Sequence, residues 1–439
     1  MSRAATEVPA TGVPGPRRTA RPERLWIAAV VAMACVLALP FVFTQGFVLS
    51  LLCQMGIATI FALSYNMLLG QTGLLSFGHA VYFGLGAFVA MHTLRWASSA
   101  NIGGAWVVVV LPLVGGVGGL IAGLILGGVT TRRAGTIFAM ISLGVGEMVA
   151  SIAPMFPALF GGEAGLSANR VFGHPLFGIT FGPQRQVFFL IVGWAVLAAW
   201  GMYALTRTPL GRMANAVRDN PERTQFVGYN PQRVRFLTLT LSGFFAGIAG
   251  GLSAINYEIV TGESLGALTS ALVLLMAFIG GVGQFLGPVI GAVLVTFLQT
   301  ALSQFTHAWL FYFGLLFLFI VLKAPGGIAS LILLHREPWR QGLLGWIWPQ
   351  YALAAVPVAL TLAGLIGMVE LIYRVAGGVD AGETSWRLFG QAIDAKNWRP
   401  WLVVIMLLLG GGWLLQKVWA GVVWQWKMVL LATTRGGGA

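Results

Sequence analysis

Charge is scarce in this sequence. Only 9% of its 439 residues are Asp, Glu, Lys or Arg, against about 25% in an average soluble domain, while 57% are apolar. A soluble fold of this length could not hide so much apolar surface. The composition therefore excludes an ordinary globular enzyme and points to a chain that crosses a bilayer many times. Cysteine is nearly missing as well: Cys35 and Cys53 both lie inside apolar runs, which excludes a disulfide framework and a thiolate metal cluster. Lysine occurs only at Lys323, Lys396, Lys417 and Lys427. None of these completes a G-x-x-x-x-G-K-[ST] loop, so the chain has no phosphate-binding motor of its own. His79, His92, His174, His307 and His335 are scattered without ligand spacing, which argues against a metal site and against a membrane-embedded metalloenzyme.

What charge there is leans one way. Lys and Arg total 26 and Asp and Glu 13, a net of +13. The basic residues sit between apolar runs, the pattern of loops retained in the cytoplasm rather than of a nucleic-acid surface. Residues 1–24 form a Pro-, Gly- and Arg-rich tail with nothing to bury, expected to be disordered and cytoplasmic. Ala32-Met33-Ala34-Cys35 has a lipoprotein-like cleavage pattern, but the apolar run continues to Phe43, which favours a first membrane helix.

Apolar runs follow at 25–44, 47–69, 79–94, 105–129, 134–156, 186–206, 236–255, 267–283, 287–304 and 306–322, with two more at 351–373 and 400–420. The expected fold is an all-α polytopic membrane protein: a bundle of about ten helices over 25–333 and two further spans within 334–439. With the N-terminus inside, Arg132, Arg133, the arginines of 207–235, Lys323, Arg336 and Arg340 fall in the cytoplasm, and so does the C-terminus. The other side receives Arg95, Arg170 and Arg185 with Glu163, Glu258 and Glu263. That satisfies the positive-inside rule, and a miscounted span would have reversed it. Gly115, Gly119, Gly123 and Gly127 repeat every four residues, as do Gly243, Gly247 and Gly251. Such faces let helix backbones approach closely in lipid, so tight packing within one bundle is expected.

Two stretches interrupt the apolar pattern. One runs from Gly70 through Gln71, Gly73, Ser76 and Gly78 to His79, and the other is Gly280-Gly281-Val282-Gly283-Gln284-Phe285-Leu286-Gly287-Pro288. Paired breaks in two halves point to a transport pathway, while the span count places both as cytoplasmic turns; a re-entrant turn would satisfy both readings. Asn66 lies beside the first break. Glu147 falls near the middle of the fifth span, where an isolated carboxylate is costly: it lines a permeation path, or it is bonded to a neighbouring helix. Glu370 has Arg374 four residues on, a local helix-end pair.

The loop 207–235 contains Thr208-Pro209, Asn220-Pro221 and Asn230-Pro231, three cap-then-proline helix starts. Gly228 is placed to end the second helix. Leu210, Met213 and Val217 give the first an apolar stripe. Six arginines against Asp219 and Glu222 leave a basic surface, suited to anionic lipid or, with its two capped helices, to docking a cytoplasmic protein.

These residues resemble the coupling loop of ABC importer permeases of the branched-chain amino acid type, the LivM/LivH permeases. The likeness extends along 25–333. Tyr65-Asn66-Met67-Leu68-Leu69-Gly70-Gln71-Thr72-Gly73 and Ser76-Phe77-Gly78-His79-Ala80 are similar to the family's early signature, Arg133 to Met140 to the opening of its middle helix, and Gly162-Glu163-Ala164-Gly165-Leu166 to its glycine-rich periplasmic turn. Leu210-Gly211-Arg212 with Ala216-Val217-Arg218-Asp219-Asn220 resembles the coupling loop, and Gly280 to Gly283 with Gly287 to Ala292 the late motif. The resemblance departs at Glu147, where the family pattern expects Gln or an apolar residue. It also stops before 335–439, a Trp-rich linker (Trp339, Trp346, Trp348), two spans and a polar loop with Trp398 and Trp401 at an interface.

The resemblance implies a transport subunit of the bacterial inner membrane, not an enzyme. Its partners would be a second, homologous permease, two cytoplasmic ATPase chains that hold ATP and Mg, a periplasmic solute-binding protein and membrane lipid. No cofactor is expected on this chain and no nucleic acid. It assigns ATPase coupling to Leu210, Gly211, Arg212, Ala216, Arg218, Asn220, Glu222 and Gly228. The two breaks and the polar groups beside or between apolar runs give the expected translocation path: Asn66, Gln71, Ser76, His79, Glu147, Gly280, Gly281 and Gly283. The rival expectation is an ion- or proton-coupled carrier with Glu147 as its titrating group.

Overall fold

The computed structural model describes residues 23–324, 326–376, 385–388, 391–394 and 397–436. In chain order the elements are α1 (Glu23–Val42), α2 (Gly46–Thr72), α3 (Ala80–Ala100), α4 (Ala105–Thr130), α5 (Gly135–Ile152), a single turn α6 (Pro157–Phe160), β1 (Leu166–Ser167), α7 (Gln184–Arg207), α8 (Pro209–Asp219), α9 (Pro221–Phe226), α10 (Pro231–Tyr257), β2 (Ile259–Val260), α11 (Ala267–Gly280), α12 (Gly287–Phe305), α13 (Trp309–Lys323), α14 (Gly327–Arg340), α15 (Leu344–Ala376), β3 (Ser385–Leu388), β4 (Gln391–Asp394) and α16 (Trp398–Gly436). Among the described residues the fold is all-α apart from two short antiparallel strand pairs, β1 with β2 and β3 with β4. Every apolar run named above coincides with a helix over most of its length. Among the described residues, eight helices are long and apolar enough to cross a bilayer, or nine if α13 and α14 count as one bent span. The chain is a multi-pass membrane protein.

Twelve spans are expected, but the runs of α3 and α11 are not among these membrane-length helices, and that of α13 counts only together with α14. α11 has only 14 residues, about 21 Å at 1.5 Å per residue, short of a ~30 Å hydrocarbon core. It stops where Gly281 takes φ +122. The segment between the tenth run and the Trp-rich linker leads into α14, a 14-residue helix that reaches Arg340. Its His335-Arg336-Glu337-Pro338 sequence hides it from an apolar-run search.

The described residues fall into two compact units, one within 30–302 and 313–330 and the other within 23–29, 303–312 and 331–436. In the first, α10 is the most enclosed of the membrane-length helices and packs on α2, α3 and α4. The two glycine series mesh. A methyl built on Gly115 would lie 2.6 Å from the Gly247 carbonyl oxygen, and one on Gly123 would lie 2.9 Å from the Thr240 Cα. Backbone meets backbone along this seam, the close approach that small residues permit in lipid.

The face of this unit opposite α8 and α9 is closed by the β1–β2 pair and by Arg170, which is 9% exposed. Its Nε donates to the Phe181 carbonyl at 2.8 Å, Nη1 to Ile255 at 3.0 Å and Asn256 at 3.2 Å, and Nη2 to Gly182 at 3.2 Å and the Gln184 Oε1 at 3.3 Å. Its backbone N–H donates to Glu258 Oε1 at 2.9 Å. Charge counting read Arg170 as a loop residue, whereas it is a buried clamp between segments far apart in sequence.

In the second unit α15 and α16 run antiparallel, with Gly364 against Leu408, Gly367 against Val404 and Gly411 against Thr361. A directional chain of hydrogen bonds joins three helices: Trp426 Nε1 donates to Tyr351 Oη at 2.6 Å, and Tyr351 Oη is 2.9 Å from His335 Nε2. Glu370 accepts from Tyr312 Oη at 3.2 Å.

Candidate functional site

The loop between α7 and α10 folds as its capping residues dictate. Thr208 Oγ1 accepts from the Gly211 N–H at 3.4 Å, Asn220 Oδ1 from Arg223 at 2.9 Å and Asn230 Oδ1 from Gln232 at 2.9 Å. Each side chain thus satisfies a free donor at a helix start, and a proline follows each cap. Gly228, at φ +90, ends α9. Leu210 and Met213 pack on the buried cluster of Ala214, Val217 and Val234. The apolar stripe of α8 is therefore spent on α10 within the same unit and leaves no free apolar face for a partner. What α8 and α9 present outward is Arg212, Arg218, Asn220, Glu222 and Gly228, together with Phe226 and Val227, which are 91% and 69% exposed. Ala216 is half-buried, and Gly211 is buried against backbone, a Cβ there lying 2.7 Å from the Thr206 Cα. Phe226 escaped the sequence reading because a lone aromatic in a polar loop has no periodicity to mark it.

Arg218 connects this loop to the first break. Its Nη1 donates to the Gly70 carbonyl and its Nε to Asp219 Oδ1 at 3.1 Å. The cation thus sits on the negative end of α2. There Gly73, at φ +70, caps the helix with its N–H on the Leu69 carbonyl at 3.0 Å, and Leu74 N–H follows onto Leu68 at 3.3 Å.

The break itself, 73–79, is held by side chains from other helices. Ser142 Oγ of α5 accepts from the Phe77 N–H at 3.1 Å, and Ser270 Oγ of α11 accepts from the Ala80 N–H at 3.0 Å, at the start of α3. Ser76 and His79 are buried, and Gln71 is half-buried. The His79 ring, 0% exposed, stacks on Phe61 at 5.6 Å and meets Tyr65 and Tyr82 edge-on at 5.2 and 5.6 Å. Ser64 Oγ donates to Phe61 at 2.7 Å and stands within hydrogen-bond reach of His79 Nε2, at 3.1 Å. Of the expected path residues, His79 thus belongs to the packed interior.

Asn66, 5% exposed, lies one turn before Gly70 and donates from Nδ2 to the Gln284 carbonyl at 3.4 Å. Gln284 is in the second break, whose Gly280 and Gly281 are buried and whose Gly283 is exposed. Gly281 meets the Gly326 carbonyl, 2.5 Å from where a Cβ would stand. The two breaks are therefore neighbours. Glu147 stands apart from this group. It is exposed on α5 and makes no hydrogen bond or ion pair among the described residues. Thr136, Met140, Gly144 and Ser151 share its outward stripe, while the inward stripe of α5, Ser142 and Gly146, rests on Phe77 and Gly78.

The structure is a multi-pass helical membrane bundle with two neighbouring glycine-rich breaks and a capped loop bonded to the helix before one of them. The pattern of the family described as "Branched-chain amino acid transport system / permease component" matches residues 47–323, and the chain belongs to that family. It is similar to the high-affinity branched-chain amino acid transport system permease protein LivM of Salmonella typhimurium, 27% identical over 330 residues, covering 70% of this chain and 75% of that protein. A probable LivM of Methanocaldococcus jannaschii is 25% identical, covering 63% of this chain and 92% of its own. The ribose import permease RbsC of Escherichia coli is 32% identical over a shorter stretch, 26% of this chain and 36% of that one. No solved structure matches.

Proposed function

We propose that this chain is the membrane subunit of an ATP-driven importer for branched-chain amino acids or related small polar solutes. α8 and α9 face the cytoplasm and receive an ATPase subunit that holds ATP and Mg. A second, homologous permease completes the translocation path beside the Glu147 face of α5, and a periplasmic binding protein delivers the solute to the β1–β2 side. Both termini are then cytoplasmic, in a bacterial inner membrane. Polar and small residues at Thr136, Gly144, Glu147 and Ser151 suit a face turned to protein or to a wet path, because a carboxylate facing lipid at mid-span is costly.

The observation that carries this reading is the bond from Arg218 to the Gly70 carbonyl. It joins a docking loop to a break inside the bundle, an arrangement that a carrier driven by an ion gradient does not need. The test is purification of the tagged chain in mild detergent from its own membranes, with mass spectrometry and an ATPase assay on the eluate. Two ATPase subunits and a second permease, with hydrolysis stimulated by solute-loaded binding protein, are the expected result. A folded chain recovered alone, without hydrolysis, overturns it and turns attention to ion-driven uptake through Glu147.

A further inference from the structure

We infer that Asn66 is a positioning residue that ties the second glycine-rich break to the docking loop, so that α8 moves both breaks as one unit. This rests on the reading of α8 and α9 as the ATPase contact. The bonds form a continuous series. Arg218 of α8 holds the Gly70 carbonyl, and its Cγ stands 3.0 Å from where a Cβ on Gly73 would be. Asn66 lies four residues before Gly70, about 6 Å along the same helix, and its amide bonds the Gln284 carbonyl. Only one helical turn separates the two bonds, and a helical turn is stiff because each of its backbone hydrogen bonds must stretch for it to deform.

Two details fit this role better than contact with solute. Asn66 is 5% exposed, so little of it reaches an open path. A Cβ on Gly70 would overlap Asn66 Oδ1, so the glycine leaves the room that the amide occupies. Removing the Asn66 amide frees the second break from α2, and removing the Arg218 guanidinium frees α2 from α8. Either cut interrupts the same series.

The experiment uses the full assembly in proteoliposomes, with its binding protein and leucine as the probe. Two quantities are read: the ratio of leucine-stimulated to basal ATP hydrolysis, and the KM and kcat of leucine uptake. The expected result is that Asn66→Ala and Arg218→Ala each lower the stimulation ratio by roughly tenfold, the scale of one hydrogen bond to a charged or buried partner. The double variant falls no further than the worse single one, the sign of a shared link. Uptake kcat falls and KM stays. Arg218→Lys restores part of the ratio. If Asn66→Ala does not assemble, Asn66→Asp, which keeps the shape and loses the donor, carries the same expectation.

Additive losses in the double variant overturn the inference, as does a rise in KM with kcat intact, which would make Asn66 a solute contact. A native assembly that retains no ATPase subunit and hydrolyses no ATP overturns the underlying functional reading instead.

Discussion

The guanidinium of Arg218 and the carbonyl of Gly70 are 148 residues apart in the chain and bonded in the fold. One belongs to a short helix outside the bundle, the other to the last turn of a helix within it. A cation at a helix C-terminus is favourable in itself. Here it also gives the docking loop a grip on the membrane helix that leads into the first break.

Phe226 offers the loop's most exposed apolar surface, between Arg223 and Gly228. Phe226→Ala is expected to weaken retention of the ATPase subunit by roughly tenfold to a hundredfold, the effect of losing an aromatic anchor at an interface. The thermal stability of the isolated chain should stay unchanged, because the ring touches little of its own fold. Titration of the purified permease with ATPase subunits, beside a melting curve, checks both halves.

The glycine seam between α4 and α10 predicts a sharp contrast. Gly247→Ala places a methyl against the Gly115 carbonyl, whereas a Cβ on Gly128 meets nothing within 4 Å. Gly247→Ala should destabilise by roughly 1–3 kcal/mol, the usual cost of overpacking. Gly128→Ala should be neutral. Thermal unfolding in one detergent compares them.

Arg170→Met should lower stability by about 3 kcal/mol or more, since it removes a nearly buried cation and leaves several carbonyls without donors. Glu258→Gln is expected to be mild, because the amide oxygen can still accept from the Arg170 backbone N–H. Equal melting shifts for the two would contradict the assignment of the clamp to the guanidinium.

Glu147→Gln should leave assembly intact, as the side chain has no partner among the described residues. ATP-dependent uptake should persist with the same pH profile as the native protein. A loss of uptake that tracks pH would shift the driving force to protons, and uptake of labelled leucine between pH 5 and 8 reads the difference.

Much of this architecture is legible in the sequence because it rests on local chemistry. The caps at Thr208, Asn220 and Asn230 act within three residues, and the glycine series needs only its own period. The apolar runs need only their length. What escaped depends on partners far away. Arg170 takes its acceptors from around 181–184 and 255–256, so a loop arginine gives no sign of being a clamp. The stripe of Leu210, Met213 and Val217 was readable, but its direction was not, since Val234 of the next helix takes it up. Asn66 and His79 both stand next to the first break in sequence, yet one bonds the second break and the other lies in an aromatic cage.

The seam between α4 and α10 has a structural consequence. At Gly115, Gly119 and Gly123 no side chain stands between the two helices, and backbone rests directly on backbone. α10 begins at the Asn230 cap beside the docking loop and ends at β2 on the opposite face, about 40 Å away at 1.5 Å per residue over its 27 residues. One unbroken helix therefore runs from the docking loop to the far strand pair.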